Sequence, residues 1–338
     1  MPVGLLNASA GGTRLEPWAS AESLRDAADL PALAARLRRA SPLTEEGRAS
    51  HEAYFRNLEA WVSLAREAVA GRRPLPPPPE EPWIVGNEQQ PTRLFNGMIA
   101  PLVPFALRGV LWYQGEANAG DPPGYAAKMA ALVAGWRQAW SDPAMPFYYV
   151  QLAAFQASDP AKPAMGDGWA RLREEQSKAL SLFEATGMAV TIDIGDAVDI
   201  HPTNKQDVGR RLARWALART YGAGGVPCGP LYRTHRSAKG AAVIEFDHAD
   251  SGLFIGRKEG TDRPVVEKDG PLPWLSVAGP DRVFHWAQAQ IDGPRLVVSS
   301  PDVPEPVAVR YAFTQNPTGP KLYNKEGLPA APFRTDDW

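Results

Sequence analysis

The sequence has a single cysteine, Cys228, among 338 residues. No disulfide can form within the chain, and no cysteine-based metal cluster can be built. An excess of charge of one sign is also lacking: 36 Lys and Arg stand against 38 Asp and Glu, a formal net charge of −2. That balance gives no electrostatic footprint for nucleic acid or an anionic membrane surface. No apolar run reaches the ~18 residues that a bilayer-spanning helix requires. The start, Met1 to Asn7, lacks the basic residues and the apolar length of a secretory signal, and nothing else in the sequence assigns a compartment. No Gly-x-Ser-x-Gly elbow occurs anywhere. His51, His235, His248 and His285 are scattered, without ligand-like spacing to another His, Asp or Glu, so no metal is expected.

What is present is the composition of an ordinary globular chain, 44% hydrophobic and 22% charged, with eleven tryptophans. Pro2 to Leu6 is a short apolar run before Ala10-Gly11-Gly12-Thr13, which predicts a buried strand entering a tight turn. Helices are predicted over 20–39 and 44–70. In the second, Tyr54, Leu58, Trp61, Leu64 and Ala68 are read as the core-facing stripe. Pro74 to Pro82 is a stiff connector. Strands are predicted over 109–113, 146–152 and 188–194, and helices over 125–140, 169–182 and 204–221. Apolar strands alternating with long helices indicate an α/β fold, a parallel sheet with helices on both faces. After Pro227 the pattern changes to short strand-like runs, 241–246, 282–287, 296–299 and 307–313, separated by turns such as Asp269-Gly270 and Asp292-Gly293. The expected organisation is therefore an α/β domain over 1–226 and a small antiparallel β domain over 227–338.

In such sheets ligands bind where strands give way to loops at their carboxyl ends. Three segments fall there: Ser9 to Thr13, Gln114-Gly115-Glu116-Ala117-Asn118, and Asp196 to Pro202. His201 is the foremost candidate, because imidazole is the commonest general base near neutral pH. Its orienting carboxylate is Asp199, two residues away, or Glu116. Gln114 and Gly115 are candidates for stabilising an oxyanion, through an amide side chain and a closely approaching backbone. Gly11 and Gly12 offer backbone N–H groups of the same kind, and Asn118 adds a second amide. Ser9 is a possible substitute nucleophile, although a turn hydroxyl is the simpler role. Two further readings bear on function: Trp18, Trp112 and Trp169 as stacking platforms of a non-catalytic carbohydrate-binding protein, and Glu116 with Asp199 as the acid/base pair of a glycoside hydrolase.

Several ordered blocks are recognisable. They are Pro2 to Leu6 leading to Gly11-Gly12-Thr13-Arg14-Leu15-Glu16-Pro17-Trp18, Phe95 to Leu102, Gly109 to Asn118, Trp136-Arg137, Pro146-Phe147, Val150-Gln151-Leu152, Arg171 to Gln176, Asp199 to Lys205, Arg310-Tyr311, Leu322 to Pro329 and Phe333-Arg334-Thr335. Together they resemble sialate O-acetylesterase-like carbohydrate esterases of the SGNH hydrolase superfamily. The resemblance implies a flavodoxin-like sheet, no metal and no organic cofactor, and hydrolysis of acetyl esters on sugars, the partner being a small-molecule or oligosaccharide acetyl ester. It implies that His201 is the catalytic base and that Gln114, Gly115, Gly11 and Gly12 belong to the acyl-binding loops. The spacing common in SGNH enzymes puts an Asp three residues before the His; here that position is Val198 and Asp199 sits two before. The family's nucleophile lies in a Gly-Gln-Ser-Asn-like block on the first strand, and this sequence contains no such block. The expectation is thus an N-terminally truncated esterase, missing its first strand and impaired by loss of the nucleophile.

Overall fold

The computed structural model describes residues 3–82, 89–238, 240–267 and 270–338. Pro2 of the predicted first strand and Asp269 of a predicted turn lie outside the described residues. The chain forms two compact units, Met1–Ala106 with Ala127–Pro143, and Leu107–Ala126 with Ala144–Trp338.

The first unit is helical: α1 (Ala21–Arg25), α2 (Pro31–Ala40), α3 (Glu45–Ala70) and most of α4 (Tyr125–Ala139). The Thr44 hydroxyl caps α3 by accepting the N–H of Gly47, and Glu45 and Glu46 complement the positive end of the helix dipole. Its inward face is Tyr54, Leu58, Trp61, Ala65 and Ala68, with Tyr54, Ala65 and Ala68 buried. The predicted Leu64 is 55% exposed. It sits one residue, about 100° of rotation, away from the stripe that Ala65 occupies. Lys128 of α4 forms a buried ion pair with Glu16 at 2.8 Å, and the Trp136 indole N–H donates to the carbonyl of Trp18.

The strand predicted at Pro2 to Leu6 is corrected. Residues 3–10 form no strand, and Val3, Leu5 and Leu6 are 66%, 84% and 54% exposed. A short apolar run becomes a strand only where a neighbouring ladder takes its backbone groups, and that information is not local.

The second unit begins with β1 (Val110–Trp112), β2 (Phe147–Val150), α5 (Gly168–Ala179), β3 (Thr186–Ala189) and α6 (Lys205–Trp215). The three strands form a parallel sheet in the order β1-β2-β3. Strand alternation in β2 divides its side chains between two helices. Tyr148 and Val150 pack with Val208, Leu212 and Trp215 of α6. On the opposite face Tyr149 donates to the carbonyl of Gln176, and Gln151 to the carbonyl of Arg173, both in α5. Helices therefore cover both faces, as the continuously apolar strands imply.

Eleven short strands follow: β4 (Leu231–Ala238), β5 (Ala241–Asp247), β6 (Leu253–Arg257), β7 (Val265–Val266), β8 (Leu275–Ala278), β9 (Phe284–Trp286), β10 (Gln288–Asp292), β11 (Arg295–Ser299), β12 (Ala308–Tyr311), β13 (Lys321–Asn324) and β14 (Phe333–Arg334). They form three antiparallel sheets, β10-β11-β5-β4, β14-β12-β8-β9 and β13-β6-β7. The hairpin at Asp292-Gly293 forms where its turn residues indicate, pairing Asp292 with Arg295. Ile244, Val277, Leu296, Val309, Tyr311 and Leu322 are fully buried in one shared core.

These sheets lie in the same compact unit as the parallel sheet. Arg173 of α5 is fully buried and donates to four carbonyls, those of Leu152, Ala153, Thr314 and Gln315. Arg334 of β14 pairs with Glu174 at 2.8 Å. Tyr323 of β13 donates to Asp193, which also accepts a two-pronged contact from Arg211 at 2.6 and 2.8 Å.

Candidate functional site

Register places Trp112, Tyr149 and Met188 side by side, so the carboxyl ends of all three parallel strands share one edge. The loops that leave that edge carry the candidate residues of this unit.

After β1 the chain runs through Tyr113, Gln114 and Gly115 into a 3₁₀ turn at Glu116–Asn118. Gln114 and Asn118 are buried. The Gln114 amide donates to Asn118 Oδ1 at 2.9 Å, and the Tyr125 hydroxyl donates to Gln114 Oε1 at 2.9 Å. The Gln176 side chain donates to the Gln114 carbonyl at 3.3 Å and accepts the N–H of Leu152 at 2.9 Å. Gln176 thereby ties the loop after β1 to the end of β2. A Cβ at Gly115 would lie 3.0 Å from both Gln176 Nε2 and Leu152 Cδ2, so either side chain would have to give way to a larger residue here. The bonds that Gln114 makes to Asn118 and Tyr125 brace the loop from within.

The second loop follows β3. Asp193 anchors its start through Arg211. Asp196 Oδ1 accepts the N–H groups of Val198 and Asp199 at 2.9 and 3.3 Å. Asp199 Oδ1 accepts the N–H of His201 at 2.8 Å and lies 3.4 Å from its Nδ1. These side chain–backbone bonds turn the chain locally before α6, which Asn204 caps by accepting the N–H of Asp207. His201 is presented to solvent, its side chain 83% exposed.

The two loops converge. Burial raises the pKa of the Glu116 carboxyl, and the N–H groups of Glu116 and Gly115, then Lys205 and His201, act against that rise. His201 is thus within electrostatic reach of the 114–118 loop. The Lys205 ammonium lies 4.9 Å from the centre of the Tyr113 ring, a cation–π distance. Burial, with the Glu116 charge, pushes the Tyr113 hydroxyl up to about 12. Gln114, Gly115, Glu116, Asn118, Asp199 and His201 all belong to this region of the second unit. Ser9, Gly11 and Gly12 belong to the first unit. There Ser9 is exposed and donates to the Asn7 side chain, while Gln89 bridges the Gly12 carbonyl and the Arg14 N–H at 2.8 and 2.9 Å.

Sequence reasoning missed Lys205, Tyr113 and Gln176 as members of this site. Gln176 was legible in principle: it is an amide on the apolar side of α5, four residues after Leu172, both fully buried. A polar group there demands partners. The tryptophan platforms are corrected in part. Trp18 and Trp112 are 4% and 7% exposed and so are core residues, while Trp169 is half-buried with its indole N–H on the Ala153 carbonyl. Among the described residues no group of three or more His, Cys, Asp or Glu is arranged to hold a metal ion. No helix among them is long and apolar enough to cross a membrane. Cys228 is buried, which raises its thiol pKa.

Residues 81–218 match the family described as carbohydrate esterase, sialic acid-specific acetylesterase. The chain is 30% identical over 98% of its length to a sialate O-acetylesterase of Rattus norvegicus, and 28% identical over 98% to one of Homo sapiens. It spans 60% and 57% of those proteins, respectively. Among solved structures it resembles a carbohydrate acetylesterase from Xanthomonas citri, with 46% identity and a TM-score of 0.66, over 74% of this chain and 55% of that one.

Proposed function

Because the chain belongs to the sialate O-acetylesterase-like carbohydrate esterases, we propose that it serves the hydrolysis of acetyl esters on sugars by serine–histidine acyl transfer, with His201 as general base and Asp199 as its orienting acid. The observation that supports this reading is the approach of the loop after β3 to the loop after β1, where Lys205 lies 4.9 Å from the Tyr113 ring, together with the Asp199 carboxylate 3.4 Å from His201 Nδ1. In the reaction a serine hydroxyl attacks the acetyl carbonyl and His201 Nε2 takes its proton. N–H donors hold the oxyanion, and Gln114 and Asn118 hold the 114–118 turn in shape. The ester C–O bond breaks and the sugar alcohol leaves with the proton from His201. Water then hydrolyses the acetyl-serine by the same route in reverse.

The sequence contains no Gly-Gln-Ser-Asn-like block to supply the serine. The expected behaviour of these 338 residues alone is residual turnover, of the roughly 10³ to 10⁴ over water that remains when a triad member is absent. Hydrolysis of p-nitrophenyl acetate by the purified chain, by Ser9→Ala and by His201→Ala tests the reading. Substantial turnover lost in Ser9→Ala would identify Ser9 as the nucleophile. Substantial turnover unchanged in His201→Ala would remove the proposed base and the mechanism with it.

A further inference from the structure

The loop that carries His201 rests against residues 154–156, which a segment more than a hundred residues later in the chain holds in turn. Ala154 to Gln156 lie directly against the start of the His201 loop. A Cβ at Gly195 would fall 2.1 Å from the Ala154 carbonyl oxygen, so backbone meets backbone there with no room for a side chain. The N–H of Gln156 donates to the Ala197 carbonyl at 3.1 Å. Gln156 makes this bond with φ at +65°, a left-handed conformation that costs a non-glycine residue of order 1 kcal/mol. Such strain persists only where the surroundings over-determine it.

Those surroundings come from the turn after β12. Asn316 Nδ2 donates to the Gln156 carbonyl, and its N–H donates to Ser158 Oγ at 2.9 Å. Gln315 accepts the N–H of Phe155 at 3.1 Å through its carbonyl and donates to the Ala157 carbonyl through its side chain. The Thr314 hydroxyl donates to Ser158 Oγ at 2.7 Å. Behind this seam the fully buried Arg173 guanidinium bonds the carbonyls of Ala153 and Gln315 with one nitrogen, Nη2, at 2.7 and 2.8 Å. Asp167 closes it from the other side, with Oδ2 accepting the N–H of Gln315 at 2.6 Å. Residues 153–158 and 314–316 are thus zipped along their length, and the Gln156–Ala197 bond and the Gly195 contact pass onward to the His201 loop.

We propose that Asn316, acting through Gln156, is a positioning residue for His201: the C-terminal β segment sets the place of the imidazole. The proposal rests on the reading of His201 as general base for its functional meaning, but its geometry stands apart from that reading. Asn316 is 8% exposed and touches neither His201 nor Asp199 among the contacts that define the loop. Its effect runs through the backbone, from the Asn316 amide to the Gln156 carbonyl, to the strained Gln156 peptide, to the Ala197 carbonyl, and on to the Asp196–Asp199–His201 turn.

The test is NMR spectroscopy of the full chain, comparing wild type with Asn316→Ala and Asn316→Asp. The second variant keeps the volume of the side chain and removes the donor, so one variant remains informative where the other fails to fold, as judged by near-ultraviolet circular dichroism. The expected result is exchange of the Gln156 amide proton that is roughly tenfold faster, together with displaced or broadened His201 ring resonances, while the Gln114 and Asn118 side-chain amides keep their positions. Wild-type exchange at Gln156 and unchanged His201 ring signals in a folded variant would overturn the proposal. Neither readout needs ester turnover. If His201→Ala leaves turnover intact but the ring still moves in Asn316→Ala, the functional reading falls and the brace stands. The reverse pattern removes the brace alone.

Discussion

Asp199 and His201 are joined twice through one oxygen: Asp199 Oδ1 accepts the His201 N–H at 2.8 Å and stands 3.4 Å from Nδ1 of the same residue's ring. The backbone bond holds the carboxylate, and the carboxylate then faces the ring. Glu116, the other candidate for the orienting acid, accepts from the N–H groups of its own loop. The Asp199 contact is the ground on which Asp199 is proposed as the orienting acid. Both side chains are largely exposed, 83% for His201 and 55% for Asp199, and such pairs contribute only about 0.2–1 kcal/mol. Asp199→Asn is expected to shift the balance between the two neutral imidazole tautomers by about 1.4-fold to fivefold, the ratio that this energy corresponds to. Glu116→Gln is expected to leave it unchanged. Nitrogen-15 chemical shifts of the His201 ring in mildly alkaline solution read this directly. A tautomer shift in Glu116→Gln alone would reverse the assignment.

Gly115 stands where two other parts of the chain press close, with its missing Cβ 3.0 Å from Gln176 Nε2 and from Leu152 Cδ2. Gly115→Ala is expected to destabilise the fold by about 1–3 kcal/mol, as overpacking does, and to displace Gln114. Gln176→Ala opens one of the two obstructions. The double variant Gly115→Ala/Gln176→Ala should therefore be more stable than the sum of the two single losses predicts. Urea denaturation of all four proteins measures the coupling, and strict additivity would show that the two residues do not compete for this space.

Arg173 bonds four carbonyls while fully buried, with Asp167 as the nearby compensating charge. Burial alone lowers the pKa of its guanidinium. The arrangement persists because the planar fork meets carbonyls on two different segments at once. Arg173→Met leaves those acceptors without their donor and is expected to cost about 3–5 kcal/mol. Arg173→Lys keeps the charge, loses the fork and should recover only part of that loss. Chemical denaturation monitored by tryptophan fluorescence checks both, and a loss below about 1 kcal/mol for Arg173→Met would mean that the seam between 153–158 and 314–316 is held by its other bonds.

The parallel sheet was legible because its strands are apolar on both faces and its helices repeat with their own period. Tyr148 and Val150 against Tyr149 and Gln151 is the pattern of a strand covered on both sides. That His201 has a carboxylate beside it after a strand was legible from the sequence, and Asp199 does lie 3.4 Å from its ring. Val3 to Leu6 was misread because apolar character reports what a segment can bury and not whether a partner receives it. Lys205 and Tyr113 were not legible as a pair: they are far apart in sequence and meet only through the fold, at 4.9 Å. The brace from Asn316 to Gln156 was hidden for the same reason. It consists almost wholly of backbone groups, and every residue carries those.

Lys321 in β13 supplies a pH dependence with a definite sign. It is 6% exposed and donates to the Gly319 carbonyl at 2.6 Å, and burial lowers its ammonium pKa to about 8 despite the opposing pull of Asp193. An unfolded lysine titrates near 10.4. Between about 8 and 10.4 the unfolded chain therefore binds more protons than the folded one at this site, and stability rises with pH across that window. Below about 8 both states are protonated and the cost of the buried charge is fully present. The hydroxyls of Tyr311 and Tyr323 act in the opposite sense, since burial raises both above the ordinary tyrosine range. Above about 10 the unfolded tyrosines lose protons that the folded ones keep, so stability falls. The buried Cys228 thiol acts like the tyrosines but from about pH 8.5, where an unfolded thiol ionises. The gain that Lys321 supplies from pH 8 towards pH 10 is therefore read as the difference between wild type and a variant without its charge, and both lose resistance to urea beyond pH 10. Lys321→Met removes the buried charge, and should raise stability at pH 7 by about 1–3 kcal/mol, remove that gain between pH 8 and 10, and leave the fall above pH 10 in place. Urea midpoints for both proteins at pH 7, 8.5, 9.5 and 10.5 measure each part, and an equal change between pH 8 and 10 in wild type and variant would assign it to groups other than Lys321.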